Sequence, residues 1–146
     1  MTAPTHHGVV AIVTNPERSR FFIQRKDAEY RPSPRGYSLF GGAIEDGEDP
    51  AEAITRELAE ELGPGAARLA APAPVFIGRT MAAGFLLSLF EIVVDDDTLG
   101  ALADAPVFEG ECGVVLDREA LLTTPLVSGL GAVVSEYLEA AAGLRG

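Results

Sequence analysis

Hydrophobic and polar residues alternate along this chain in blocks whose lengths suit strands and short helices. Apolar runs bounded by glycine, proline and polar turn residues predict strands at residues 8–13, 20–26, 75–79, 84–94 and 112–116. A shorter apolar stretch, residues 37–40, ends at a pair of glycines. The run 84–94 is apolar at nearly every position, which indicates a strand covered on both faces.

The best-specified helix begins after Asp49, which can cap it. Pro50 suits the first helical position, and Glu52 completes a capping box with Asp49. The helix should run to Leu62 and end at Gly63, because glycine is a common C-terminal signal. Local sequence alone therefore predicts both ends of this element.

The remaining elements are less regular. Residues 117–122 predict a short helix, and residues 128–142 predict a longer helix with one apolar face. The acidic segment 95–105 is expected to be a loop or short turn. Because strands and helices alternate irregularly, the pattern favours an α/β protein with helices on both sides of a mixed sheet. The length fits a single domain over residues 1–146.

The composition limits the binding partners and the compartment that we expect for this protein. The net charge is −11, from 11 basic and 22 acidic residues, so we expect no nucleic-acid partner. Cys112 is the single cysteine, which rules out an internal disulfide and suits a reducing compartment. The first residues lack the pattern of a signal peptide, and the longest apolar run is too short for a membrane span. We therefore expect a cytoplasmic protein with no membrane partner.

The acidic residues are concentrated in one segment. Eight of the 22 lie within residues 45–61, where Arg56 is the only base. Charge alone favours a solvated helix face. On a helix, however, Glu57, Glu60 and Glu61 share an arc of about 100°. Two carboxylates about 5.5 Å apart repel by roughly 3 kcal/mol at an effective dielectric of 20. Beside a packed face they would protonate or bind a cation, and Mg²⁺ or Mn²⁺ prefers such oxygen ligands.

Glycines precede this helix at a fixed distance. Gly41 and Gly42 follow an apolar stretch and are expected to open a loop in which the main chain can approach a ligand or metal. From Gly42, five residues lead to Glu48, and seven more lead to Arg56 and the run RELAEELG. This spacing resembles the Nudix box, the signature of the Nudix (MutT-like) hydrolases. Every position agrees except the last, where Pro64 replaces an aliphatic residue.

The resemblance implies an α/β/α sandwich with a mixed β-sheet between helices. It also implies a hydrolase that uses Mg²⁺ or Mn²⁺ to cleave nucleoside diphosphates linked to another moiety. Arg56 and Glu48 match a pair that orients the box glutamates and shapes the loop, so Arg56 is grouped with the catalytic residues. The implied metal ligands are the Gly41 carbonyl, Glu57, Glu60 and Glu61.

The resemblance leaves the general base open. A box glutamate, Glu60 or Glu61, comes first, since a carboxylate must remove a proton from the attacking water. In similar proteins the base can also be an acid on a later loop. Glu111 and then Glu109 lie just before the strand predicted at residues 112–116 and are the next candidates.

Substrate contacts are the least constrained assignment. Tyr37 stands where tryptophan is common in the family, and Phe40 where proline is common, so both could alter the packing around a substrate. Arg25 and Lys26 end the second predicted strand near the glycines, where they could contact a phosphate or base, and Arg79 could do the same. The candidate substrate-binding residues are Arg25, Tyr37, Phe40, Gly42 and Arg79.

The substrate itself stays open between nucleoside triphosphates (oxidised ones included), nucleotide sugars such as ADP-ribose, and dinucleoside polyphosphates. A proline or tyrosine about sixteen residues past the box distinguishes the last two groups in similar proteins, and residues 78–81 contain neither. The alternative is a Nudix domain that binds or senses a nucleotide with little catalysis. A homodimer could form through the apolar face of residues 128–142.

Overall fold

A mixed sheet of seven strands forms the centre of the computed structural model, which describes residues 6–26, 36–63, 74–82, 84–104 and 112–145. The strands are β1 (His6–Thr14), β2 (Arg20–Arg25), β3 (Tyr37–Ser38), β4 (Phe40–Ala43), β5 (Val75–Ala82), β6 (Phe85–Val93) and β7 (Cys112–Asp117). The helices are α1 (Pro50–Leu62), α2 (Asp96–Asp104), α3 (Arg118–Thr123) and α4 (Leu130–Arg145), with a 3₁₀ turn at Val127–Gly129 before α4.

Strand β1 is the hub of the sheet. It runs parallel to β6 over its whole length, whereas the other pairings between these seven strands are antiparallel. The first half of β1 pairs with β4, and its last residues pair with β2. Strands β3 and β7 extend the sheet from β2, and β5 pairs with β6. The glycine pair of β4 therefore lies beside the middle of the molecule.

Helices cover both faces of this sheet. On one face, buried residues of α1 and α2 pack against the sheet in a single apolar cluster, with Ile54, Leu58 and Leu99 among its members. On the other face, α3, the 3₁₀ turn and α4 pack against the sheet in a second cluster, which includes Leu121 and Val134. The predicted α/β/α arrangement with a mixed sheet between helices is confirmed.

Helix α1 has the predicted ends. The Asp49 side chain accepts a hydrogen bond from the Glu52 N–H at 2.8 Å, and the Glu52 carboxylate accepts one from the Asp49 N–H at 3.1 Å. Gly63 follows the last residue of the helix. The buried face of α1 contains Glu61 together with apolar residues such as Ile54 and Leu58, whereas Ala51 is exposed.

Two local predictions are wrong. Residues 96–104 form helix α2 instead of a loop, because Asp95 accepts a hydrogen bond from the Thr98 N–H at 2.7 Å and Leu99 and Leu102 are buried. The glycine pair does not open a loop, because Gly41 and Gly42 pair with Val10 and Val9 of β1. The loop begins after Ala43 instead.

The apolar face of α4 is not free for a partner. Five of its residues are buried against the sheet of their own chain: Leu130, Val133, Val134, Tyr137 and Leu138. These five residues are therefore not available to a second copy, and whether the protein forms a homodimer stays a prediction. Among the described residues, no helix is both long and apolar enough to cross a membrane.

Candidate active site

Helix α1 brings Glu57 against the glycine pair of β4. A Cβ built on Gly42 would lie 2.6 Å from the carboxyl carbon of Glu57, and its three nearest atoms all belong to that carboxylate. The side chain of Glu57 is 12% exposed. The glycine at position 42 is therefore required for a steric reason, because the Glu57 carboxylate occupies the space of a side chain.

Glu61 lies one helical turn further on and is buried. Its carboxylate accepts a hydrogen bond from the Gly41 N–H at 3.1 Å and another from Gln24 Nε2 at 3.2 Å. Removal from water disfavours the charged form, so burial raises the pKa of Glu61 to about 7. The Gln24 Oε1 atom is buried beside it, and the described residues offer this oxygen no hydrogen-bond donor.

Arg56 connects the acidic loop to the helix. Its Nε and Nη2 atoms donate to both oxygens of Glu48 at 2.8 and 3.0 Å, and Nη2 also donates to the Ala43 carbonyl at 3.0 Å. Its Nη1 donates to Glu57 at 2.9 Å. The Arg56 guanidinium holds the pKa of Glu48 below its usual value. This geometry is what a residue that orients Glu57 needs.

Glu60 faces a more open side of the helix. Its side chain is 47% exposed and lies 3.3 Å from Arg56 Nη1. The three box glutamates do not converge: over the described part of the chain, no group of three or more acidic, histidine or cysteine side chains is arranged to hold a metal. Glu57 and Glu61 approach the glycine pair, whereas Glu60 would have to turn toward them.

A cleft of about 270 Å³ opens on the α4 side of the sheet, next to the glycine pair. Its walls are largely apolar and include Phe85, Leu87 and Leu130, and Lys26 supplies a cation. Among the residues that line it are also Gly8, Ser38, Gly41, Gly42 and Val127. An apolar pocket with a few polar groups suits a small organic ligand, and the Lys26 cation suits an anionic group on that ligand.

A second cleft, of about 470 Å³, lies on the α1 side between the loop after β4 and strands β1, β5 and β6. Glu45, Asp46 and Glu48 line it together with Arg79 and His7. The three carboxylates make this cleft unfavourable for phosphate. The guanidinium of Arg79 also lies 5.7 Å from the ring centroid of Phe76.

The structure separates the candidate substrate contacts. The Arg25 guanidinium lies 5.9 Å from the ring centroid of Tyr37. Phe40 is fully buried, and its ring centroid lies 5.0 Å from that of Phe22, on which it stacks. Its side chain therefore belongs to the core, and the prediction that it contacts the substrate is wrong. Of these two clefts, Arg79 lines the acidic one. Glu109 and Glu111 lie outside the described residues.

Gln24 is the functional candidate that the sequence analysis missed, and Lys26 is the residue of the Arg25–Lys26 pair that lines the apolar cleft. Lys26 follows Arg25 in the sequence, and consecutive side chains of a strand lie on opposite faces of the sheet. The sequence could therefore indicate which of the two lines the cleft only if the face that carries the cleft were known. Gln24 carries no signal of its own in the sequence. Its pairing with Glu61 spans 37 positions of the chain.

Comparisons with known proteins identify a family and a fold. The model of the NUDIX domain matches residues 4–99. A MutT protein from Methanosarcina mazei Go1 has a similar structure, with a TM-score of 0.71, 18% identity and coverage of 97% of this chain and 98% of that one. A mutT/nudix family protein from Listeria innocua is also similar, with a TM-score of 0.71, 15% identity and coverage of 99% of this chain and 98% of that one. Among curated proteins, none matches the sequence.

Proposed function

The chain belongs to the Nudix family and is a Nudix hydrolase, and we propose that it uses Mg²⁺, or Mn²⁺, to cleave the diphosphate linkage of nucleoside diphosphate derivatives. The family acts on small nucleotides. Nucleoside triphosphates, oxidised ones included, are the first substrate group to test, and nucleotide sugars such as ADP-ribose are the second.

One observation carries the proposal. Two carboxylates of α1 are held against the glycine pair, Glu57 in the space of a Gly42 side chain and Glu61 by the Gly41 N–H. The apolar cleft with Lys26 lies beside the same glycines. A nucleoside in the cleft would place its phosphates between the lysine cation and the carboxylates.

The glutamates of α1 offer the type of oxygen ligand that a divalent cation binds, once Glu60 turns toward the other two. We propose that Glu57, Glu60, Glu61 and the Gly41 carbonyl would hold it, because all four offer the oxygen ligands that Mg²⁺ prefers. The buried Gln24 Oε1, which lacks a donor among the described residues, adds to the excess of acceptor oxygens that a cation would offset. When bound, Mg²⁺ would offset phosphate charge and acidify water.

The protein's own side chains would then position the substrate and the carboxylates and remove a proton from the attacking water. Arg56 would keep Glu57 in one orientation, since it already donates to Glu57 and is itself fixed by both oxygens of Glu48. Lys26 would attract the substrate phosphates. A glutamate would accept the proton of the attacking water: we propose Glu60 or Glu61, then Glu111, then Glu109.

A panel of nucleotides tests the proposal. Nucleoside triphosphates, nucleotide sugars and dinucleoside polyphosphates would be incubated with Mg²⁺ while phosphate and diphosphate release are measured. We expect one group to be cleaved, activity to stop in EDTA, and Mg²⁺ or Mn²⁺ to restore it. Binding without turnover across the panel would favour a sensing domain, and full turnover in EDTA would refute the metal-dependent mechanism.

A further inference from the structure

Gln24 is a polar side chain in the most buried part of β2. It is fully buried, and the three residues before it, Phe21, Phe22 and Ile23, belong to the apolar core. Glutamine is seldom fully buried, because an amide taken out of water must replace the hydrogen bonds that it loses. An apolar side chain would fill this position without that cost. The amide therefore needs a reason that packing does not supply.

The amide of Gln24 is oriented by the main chain beside it. Gln24 pairs with Ser38 of β3 and with Gly113 of β7, so its own main chain is held from both sides. Its Nε2 atom donates to the Leu39 carbonyl at 3.2 Å and to Glu61 Oε1 at 3.2 Å. Because a carbonyl only accepts, the bond to Leu39 keeps the nitrogen end of the amide at Glu61.

This orientation leaves the other end of the amide unsatisfied. The Gln24 Oε1 atom is buried, and the described residues offer it no hydrogen-bond donor. Turning the amide over would bring Oε1 against two acceptors, the Leu39 carbonyl and the Glu61 carboxylate, and would lose both bonds. Buried polar atoms without a partner are uncommon, and each calls for an explanation. Such exceptions to the rules of folding are expected at functional sites.

Glu61 receives one donor on each oxygen of its carboxylate. Oε1 accepts from Gln24, and Oε2 accepts from the Gly41 N–H at 3.1 Å. Two donors on different oxygens, one from β2 and one from β4, fix the plane of the carboxylate. A carboxylate offers about four acceptor sites, so about half of them are left for a cation.

Glu57 and Glu61 are held by different kinds of donor. Glu57 accepts from the guanidinium of Arg56 at 2.9 Å, and this cation offsets part of its negative charge. Gln24 is neutral, so it orients Glu61 without offsetting the charge. The difference matters for a carboxylate that binds a metal ion, because a fixed cation in the place of the amide would repel the metal.

We propose that Gln24 is a positioning residue, which holds the Glu61 carboxylate in the orientation that metal binding requires and leaves its charge to the metal. The inference rests on the proposed function, in which Glu61 is a metal ligand. Gln24 lines neither of the two clefts described above, so it acts through Glu61 and not by contact with the substrate. Partners that orient a metal ligand typically change metal affinity or activity by about 10- to 100-fold.

Gln24→Met tests the proposal, because methionine has a similar length and no hydrogen-bond donor. Turnover would be measured on the best substrate of the nucleotide panel at a fixed Mg²⁺ concentration. Binding of Mn²⁺ alone, without substrate, would be measured from the electron paramagnetic resonance signal of the free ion. We expect kcat and the affinity for Mn²⁺ each to fall about 10- to 100-fold, with a smaller change in KM.

Gln24→Asn is a second variant, which carries the test if the methionine variant does not fold. It keeps a buried amide but withdraws it by about 1.5 Å, the length of a carbon–carbon bond. Because the bond to Glu61 is already 3.2 Å long, the shorter side chain cannot keep it. Gln24→Asn should therefore lower kcat and Mn²⁺ affinity in the same direction as Gln24→Met.

Asn15 provides the matched control. It is a second buried amide, 2% exposed, and it donates to Asp96 at 2.9 Å. It lies five residues beyond Val10, the partner of Gly41, which is roughly 16 Å along β1. Asn15→Leu, like Gln24→Met, replaces an amide by an apolar group of similar size. It should lower the melting temperature but keep kcat and Mn²⁺ affinity, since it leaves Glu61 in place.

A double variant decides whether Gln24 acts through Glu61. In a Glu61→Gln background, Gln24→Met should lower kcat much less than in the wild type, a non-additivity expected of residues in contact. An equal loss in both backgrounds would overturn the inference, as would a folded Gln24→Met variant with wild-type kcat and Mn²⁺ affinity. Wild-type turnover by Glu61→Gln alone would instead refute the role that the proposed function gives Glu61, and the inference with it.

Discussion

Gly42→Ala is the sharpest test of the site geometry. The added Cβ would lie 2.6 Å from the carboxyl carbon of Glu57, and Cβ contacts of ordinary length begin at about 3.4 Å. The φ angle of Gly42 is not in the left-handed region, so the backbone accepts alanine. Relief must therefore come from the flexible carboxylate, which has to move by roughly 1 Å.

A displacement of this size should be expressed in turnover and not in stability. Misplacement of a catalytic group by about 1 Å can lower the rate on the order of 10²-fold, which corresponds to about 2.7 kcal/mol of activation free energy. We expect kcat to fall by about this factor on the best substrate of the panel with Mg²⁺. Because alanine restricts the unfolded chain more than glycine does, the melting temperature should stay close to that of the wild type.

Two other glycines serve as controls. A Cβ on Gly100, in α2, meets nothing within 4 Å, so Gly100→Ala should keep both kcat and stability. Gly41 has a φ of +147°, and a Cβ there would lie 2.0 Å from the Val9 carbonyl oxygen. Gly41→Ala should therefore lower the melting temperature sharply, because strand β1 cannot move aside.

Combining Gly42→Ala with a second substitution, Glu57→Asp, tests whether the expected loss of kcat acts through Glu57. Aspartate is shorter by one methylene, so Glu57→Asp withdraws the carboxylate from the space that the alanine needs. In this background Gly42→Ala should reduce kcat much less than in the wild type, a non-additivity expected of residues in contact. The reasoning is refuted if Gly42→Ala turns over at the wild-type rate, or if its effect on kcat is the same in both backgrounds.

Two further variants test the buried groups. For Glu61→Gln we expect kcat to fall at least about 10²-fold. In the metal-free wild type, the raised pKa of Glu61 means that the native state binds a proton that the unfolded state has lost, so the free energy of unfolding should fall as the pH rises from about 4.5 to about 7. Urea titrations of the variant should not show this dependence on pH. Tyr137→Phe removes the hydroxyl that donates to Glu91, whose carboxylate also contacts Arg18 at 2.9 Å; the free energy of unfolding should fall by about 1–3 kcal/mol, and thermal denaturation at the wild-type midpoint would contradict that role.

The sequence by itself determined helix α1. A capping box, a proline at the first position and a glycine after Leu62 are local signals, because the groups that they satisfy lie within one turn of the helix ends. The spacing from Gly42 to Glu61 was also readable, since it depends only on the order of residues. Both predictions agree with the structure or with the family match because neither needs a distant partner.

Only the tertiary structure decided what these residues contact. The sequence put Glu61 at the edge of a packed face, but its burial depends on Gln24 of β2 and on the main chain of β4. The position of Lys26 in the cleft, the core position of Phe40 and the covered face of α4 likewise depend on strands that are distant in sequence. Side-chain periodicity says which residues share a face, but the face that packs, and against what, follows from how β1 pairs with β2, β4 and β6.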